Sequence, residues 1–100
     1  MILTTTNSVD GFSIAEYKGI VSGTAVNMQK MKMTFNMQKY YAGISDSVTE
    51  VKEQAFEQLK SNATQLNANT VVGINVDIEL TTSNYVIVTI TGTAVSIIKR

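Results

Sequence analysis

Two acidic side chains, Asp77 and Glu79, stand two positions apart in Val76-Asp77-Ile78-Glu79-Leu80. On a strand they share one face with roughly 6.5 to 7 Å between their backbones. That spacing could offer oxygen ligands to a hard cation, most of all where subunits bring several copies together. A pair of carboxylates can also divide acid and base work, provided a pocket keeps the two environments unequal. The plainer reading, a solvated sheet face, takes precedence, because such acids are rarely buried. A second set is soft: Met28, Met31, Met33 and Met37 fall within ten positions. Four thioethers could hold Cu(I), but methionine chiefly fills irregular interfaces, and no cysteine or histidine reinforces a site here.

The lack of histidine and cysteine removes the usual general base, the usual thiolate nucleophile, most transition-metal sites and any disulfide. No catalytic residue is assigned, and no cofactor is expected. Residues 17 to 45 hold Lys18, Lys30, Lys32 and Lys39 without an acid, and Phe35, Tyr40 and Tyr41 could stack on bases. Eight basic and eight acidic side chains cancel, however, which is not the footprint of a nucleic-acid binder. Gly19-Ile-Val-Ser-Gly23 lacks the Gly-Lys-Ser/Thr ending of a phosphate loop and sits in a strand-like run.

One hundred residues make a single domain over 1–100. A hydrophobic fraction of 44% with only 16% charged residues resists association poorly, so a homo-oligomer is expected. Met-Ile-Leu-Thr-Thr-Thr has neither a basic start nor a long apolar core, and no stretch approaches the roughly 20 apolar residues of a membrane span. The expected location is the cytoplasm, with no membrane partner.

The elements that must position these residues can be read in order. Residues 2 to 9 alternate weakly, and Asp10-Gly11 suggests a tight turn between two hairpin strands, the second running from about Ser13 to Val26. Two internal glycines in so long a strand predict a bend or bulge. Val21-Ser-Gly-Thr-Ala-Val26 is echoed by Ile90-Thr-Gly-Thr-Ala-Val95, as though two central strands met similar packing demands. Residues 28 to 41 read as a short methionine-rich helix, apolar on two sides and wedged between subunits. Ser47-Val-Thr-Glu50 has the pattern of a capping box and predicts the start of a main helix of about 20 residues. Val48, Val51, Ala55, Leu59, Ala63 and Leu66 form its apolar stripe. The periodicity then switches to two: Val72, Ile74, Val76, Ile78 and Leu80 make one apolar strand face, the expected bed of the helix, opposite Gly73, Asn75, Asp77 and Glu79. Thr81 to Asn84 reads as a hairpin loop before a last strand, Tyr85 to Ile98, with Val86, Val88, Ile90 and Ala94 on one face and Tyr85, Ile87, Thr89, Thr91 and Val95 on the other, so that both sides are partly apolar and both are expected to be covered. The expected fold is α+β, with antiparallel strands in the order β-β-α-β-β packed on one long helix.

Several ordered stretches carry a family resemblance. They are Thr4-Thr5-Thr6 with Gly11, Ile14 to Gly23, Tyr41-Ala42-Gly43-Ile44 with Asp46, Ala55 to Leu59, Val71-Val72-Gly73-Ile74 with Asp77, and Gly92-Thr93-Ala94-Val95. Together they resemble the YbjQ-like family of small bacterial and archaeal proteins, which carries a heavy-metal-binding label. The resemblance implies an α+β subunit in a ring-like pentamer with no established activity. Its members usually carry a Gly-Gly-Arg-containing loop after the position of Asp46, which this chain lacks. Two functional classes follow from the sequence: an assembly or interaction scaffold, and a binding module for a metal ion or small ligand at subunit interfaces. The scaffold is the default, because the positive signals concern packing surfaces.

Overall fold

The computed structural model describes residues 1–28, 37–81 and 85–100, with the backbone alone at Met28 and over 37–46. Its elements are β1 (Ile2–Leu3), β2 (Phe12–Met28), α1 (Met37–Gln65), β3 (Thr70–Leu80) and β4 (Tyr85–Lys99). The α+β class and the β-β-α-β-β order are as the sequence reading has them. The strands form one sheet in the order β1-β3-β4-β2. β2 and β3 each pair antiparallel with the central β4, whereas β1 lies parallel to β3. The expected hairpin between the first two strands therefore does not form. A turn does occur at Asp10-Gly11, closed by Phe12 N–H donating to the Val9 carbonyl, but it sends the chain to the opposite edge of the sheet. The echoing segments of β2 and β4 are neighbours, yet only β4 is central.

The helix begins before the expected start. It runs 29 residues from Met37 to Gln65, so Ser47 lies inside it and caps nothing at an N-terminus. Where relatives are expected to carry a loop, this helix continues without a break. Its stripe is as read: Val51, Ala55, Leu59 and Ala63 are fully buried, Val48 packs beside them, and Leu66 is exposed just past the end. The C-terminus closes as a Schellman motif. Asn67 takes a left-handed conformation (φ 61°), its N–H bonds the Thr64 carbonyl, and Ala68 N–H bonds the Ala63 carbonyl at 3.1 Å. Asparagine tolerates that conformation better than most side chains, and the turn delivers buried Ala68 and Thr70 straight into β3.

The helix lies across β2 and β4 and touches β3 least. Its bed is Val21, Val86, Val88, Ile90 and Ala94, with Val71 and Ile74 of β3. Gly23 makes the closest approach possible. A Cβ there would run into the Ala55 carbonyl oxygen and stand 2.8 Å from the Leu59 nitrogen, so only glycine lets the helix backbone settle on the strand.

The expected five-residue apolar face of β3 is broken. Val72 pairs with Thr93 and Asn75 with Thr91, leaving an irregularity at Gly73, which takes φ 62°. Each extra residue in a strand reverses which side the following side chains face. Val71, Ile74 and Val76 consequently turn toward the helix, while Val72 joins Val95 and Ile97 in a second cluster on the other face, covered by Val9, Phe12 and Ile14. The bend expected in β2 is also present, as register shifts between Ile14 and Glu16 and between Tyr17 and Gly19. Two shifts cancel, so Val21, Gly23 and Ala25 still share the helix side.

Asn69 pins the start of β3 to the end of β4. Its Nδ2 donates to the Ile97 carbonyl at 3.0 Å and its Oδ1 accepts from Ile97 N–H at 2.9 Å.

Candidate functional site

A four-stranded sheet has two edges, and each leaves a row of backbone donors and acceptors without a strand partner. Parts of both rows are occupied by named groups. On the first half of β3, Ile2 and Leu3 pair with Thr70 and Val71. Beyond them, Gly73 N–H donates to the Thr6 carbonyl at 2.8 Å and Ile74 N–H to the Thr4 carbonyl at 3.1 Å. On β2, the two irregularities distort residues 14 to 19, where Lys18 pairs with Glu16 at 2.9 Å. In mid-strand the helix reaches over the edge: Gln58 Oε1 accepts from Thr24 N–H at 2.6 Å, and Asn62 Nδ2 donates to the Ser22 carbonyl at 2.7 Å.

Two stretches remain uncovered among the described residues. One is Asn75 to Leu80 on β3, the other Ala25 to Met28 on β2. Both lie at the same end of the sheet, linked through β4 in rows such as Ala25–Val88–Ile78. The helix does not shield the β3 stretch. Ile78 is 47% exposed and Leu80 58% exposed, although both turn to the same side as buried Val88 and Val86.

The opposite face of this end is mixed, with apolar Val26 and Ile87 in the row of Glu79 and polar rows behind it. Asp77 lies beside Thr89 and, one strand further, Thr24; Asn75 lies beside Thr91 and Ser22. Asp77 and Glu79 are exposed on that face, as expected of a solvated pair. Among the described residues, no three carboxylates gather into a group that could hold a metal ion. Of the methionine set, Met31 and Met33 lie outside the described residues, and the side chains of Met28 and Met37 are likewise not described. Of the separate short helix expected over 28 to 41, Met28 instead ends β2 and 37 to 41 open the long helix α1, while 29 to 36 lie outside the described residues. A shallow groove of about 770 Å³ runs along the helix beside Glu50, Glu53, Phe56, Glu57 and Lys60. Among the described residues its lining comes from the helix, where Lys60 pairs with Glu57 on the surface at 3.4 Å.

Gln58 and Asn62 are the edge-bonding side chains that periodicity overlooks. Their one sequence signal is a pair of amides four apart, flanking the buried stripe at Ala55, Leu59 and Ala63. No helix among the described residues is long and apolar enough to cross a membrane.

The chain is similar to proteins that carry family labels. The YbjQ family model, described as "Putative heavy-metal-binding", matches residues 1–98. A UPF0145 protein of Acetivibrio thermocellus is 35% identical, the match covering 97% of this chain and 99% of the relative. UPF0145 proteins of Clostridium kluyveri and Pseudomonas putida are 37% and 36% identical over 95% of this chain and 97% of each relative. A crystal structure of a protein of unknown function from Pediococcus pentosaceus, assigned to the DUF74 family, superposes with a TM-score of 0.74 over 98% of both chains. At 22% identity that likeness establishes the fold alone.

Proposed function

The chain belongs to the YbjQ-like family of UPF0145 proteins, and on that premise we propose that it is a self-assembling scaffold: a homo-oligomer without catalysis of its own. The observation that carries this reading is surface in excess of what one subunit should expose. A folded monomer of 10.9 kDa exposes about 5,600 Å². This chain exposes 6800 Å². Its radius of gyration is 16.7 Å, against about 13 Å for a compact domain of this length. The excess, about 1,200 Å², exceeds the roughly 800 Å² that one partner contributes to a stable protein–protein interface.

Composition supports the same reading, because only 16% of residues are charged and the net charge is zero. The ring-like pentamer implied by the family resemblance is the working form of the assembly. A catalytic reading would have to rely on Ser, Thr, Tyr, Lys, Asp or Glu without histidine or cysteine to activate them. The metal-binding reading would place a cation at Asp77 and Glu79, and assembly would favour it by bringing the carboxylates of several copies together.

Light scattering on fractionated protein tests the proposal. The expected result is a mass several times 10.9 kDa at micromolar concentration and above. A mass of one chain throughout a concentration series would overturn it.

A further inference from the structure

We infer that β3 is built to lie in two registers against β4, the bulged one described above and a straight one. The N-terminal strap, Ile2 to Thr6, is the latch that selects the bulged register.

A pair of adjacent valines points to the second register. In the bulge, Gly73 and Ile74 together stand against Gly92, because Val72 pairs with Thr93 and Asn75 with Thr91. Sliding residues 70 to 73 by one position along β4 removes the extra residue and leaves the pairs from Asn75 onward in place. Val72 then stands opposite Ala94, where Val71 stands now, and Val71 opposite Val95, where Thr70 stands now. A one-residue slip normally carries core side chains out to solvent and is forbidden for that reason. Here it exchanges Val71 for Val72, and both are already buried, one on each face. The second cluster gains a valine beside Val95 and Ile97 in place of Thr70. Val72, Ile74, Val76, Ile78 and Leu80 become the unbroken apolar row that alternation prescribes. Gly73, at φ 62° in the bulge, returns to an extended conformation opposite Thr93, and glycine suits both.

Two sets of bonds hold the bulged register. Two successive N–H groups, those of Gly73 and Ile74, both face the strap and donate to the carbonyls of Thr6 at 2.8 Å and Thr4 at 3.1 Å. In a straight strand successive N–H groups point to opposite sides, so the strap would lose one of the two. Thr4 N–H also donates to the Val71 carbonyl at 3.0 Å, a group that moves with the slip. At the start of β3, the Asn69 side chain holds both backbone groups of Ile97. In the straight register Asn69 itself stands opposite Ile97, so those bonds must be exchanged. The slip moves the start of β3 by about 3.3 Å and draws the turn at Asn67 with it. Release of the strap at the sheet edge is thereby transmitted to the C-terminus of α1, through an element with two discrete packings.

Methyl contacts in the full chain, labelled at valine and alanine and read by nuclear magnetic resonance, distinguish the registers. The parent should show Val71 against Ala94 and no contact between Val72 and Ala94. Gly73→Val is expected to reverse this pattern with an unchanged far-ultraviolet spectrum. A β-branched residue resists positive φ, and in the straight register the new side chain takes the place of Val72 opposite Thr93. A Gly73→Val chain that keeps Val71 against Ala94, or that fails to fold, would overturn the second register. Thr4→Pro tests the latch: it deletes the N–H that bonds the Val71 carbonyl, at a residue that belongs to neither apolar cluster. The expected result is a second set of signals, with Val72 against Ala94, beside those of the parent. Parent signals alone would overturn the role of the strap. Deleting Gly73 removes the extra residue while every other side chain keeps its present face, so Thr4→Pro in that background should give one set of signals. A second set there would show that the slip does not depend on the bulge, and would overturn the inference.

Discussion

Gly23→Ala is expected to lower the thermal unfolding midpoint by about 12 to 24 °C, from a loss of about 3 kcal/mol at 4 to 8 °C per kcal/mol for a domain of this size. The added methyl group would collide with the Ala55 carbonyl oxygen and sit 2.8 Å from the Leu59 nitrogen. Both are backbone atoms of a helix, so neither can rotate aside. The helix must lift from the sheet, and in doing so it stretches the bonds from Gln58 to Thr24 and from Asn62 to Ser22, now 2.6 and 2.7 Å. One methyl group therefore disturbs the core and the edge guard together. Circular dichroism melts at matched protein concentration check it, since assembly makes the midpoint concentration-dependent. A midpoint within 2 or so degrees of the parent would mean that the helix is not seated on Gly23.

Leu59→Ala is the second large effect, with an expected cost of about 2 to 5 kcal/mol. Leu59 heads the fully buried side chains by size and stands where the stripe crosses the sheet, among Val21, Val88 and Ile90 in the main cluster. The helix cannot move inward to fill the space, because Gly23 already meets it at backbone contact. The upper half of that range is expected for this reason. Against a total stability of about 5 to 15 kcal/mol, a loss of about 3.5 to 5 kcal/mol should lower the urea midpoint by about a quarter or more with an unchanged slope. A change below about 1 kcal/mol would contradict the packing.

The residues that could be read from sequence are those whose pattern is local. Val51, Ala55, Leu59 and Ala63 recur at helical spacing, and Val86, Val88, Ile90 and Ala94 at strand spacing; each set lies in the core as its spacing requires. Asp77 and Glu79 fall on the face opposite the apolar row by the same alternation, and both are exposed. What failed needed information from elsewhere in the chain. Val72 looks continuous with Ile74, and only the positive φ of Gly73 separates their faces. Ser47 to Glu50 has the residues of a capping box, yet serine and threonine are tolerated in helix interiors, so the pattern alone cannot mark an end. The two-residue β1 pairs with a strand nearly seventy positions away, which no local pattern encodes. Strand order lies beyond periodicity for the same reason. It decides which rows of backbone groups are edges, and with them the candidate site itself.

Amide hydrogen exchange along Asn75 to Leu80 tests the central claim most directly. The amides of this stretch that point away from β4 have no strand partner among the described residues, and an unpartnered edge amide exchanges nearly as fast as an unfolded one. If a second copy covers the edge, those amides should be protected at tens of micromolar protein to a degree approaching the amides of the central strand β4, and dilution should release them. Rapid exchange of the outward-facing amides at every concentration, with β4 fully protected, would contradict assembly through this edge.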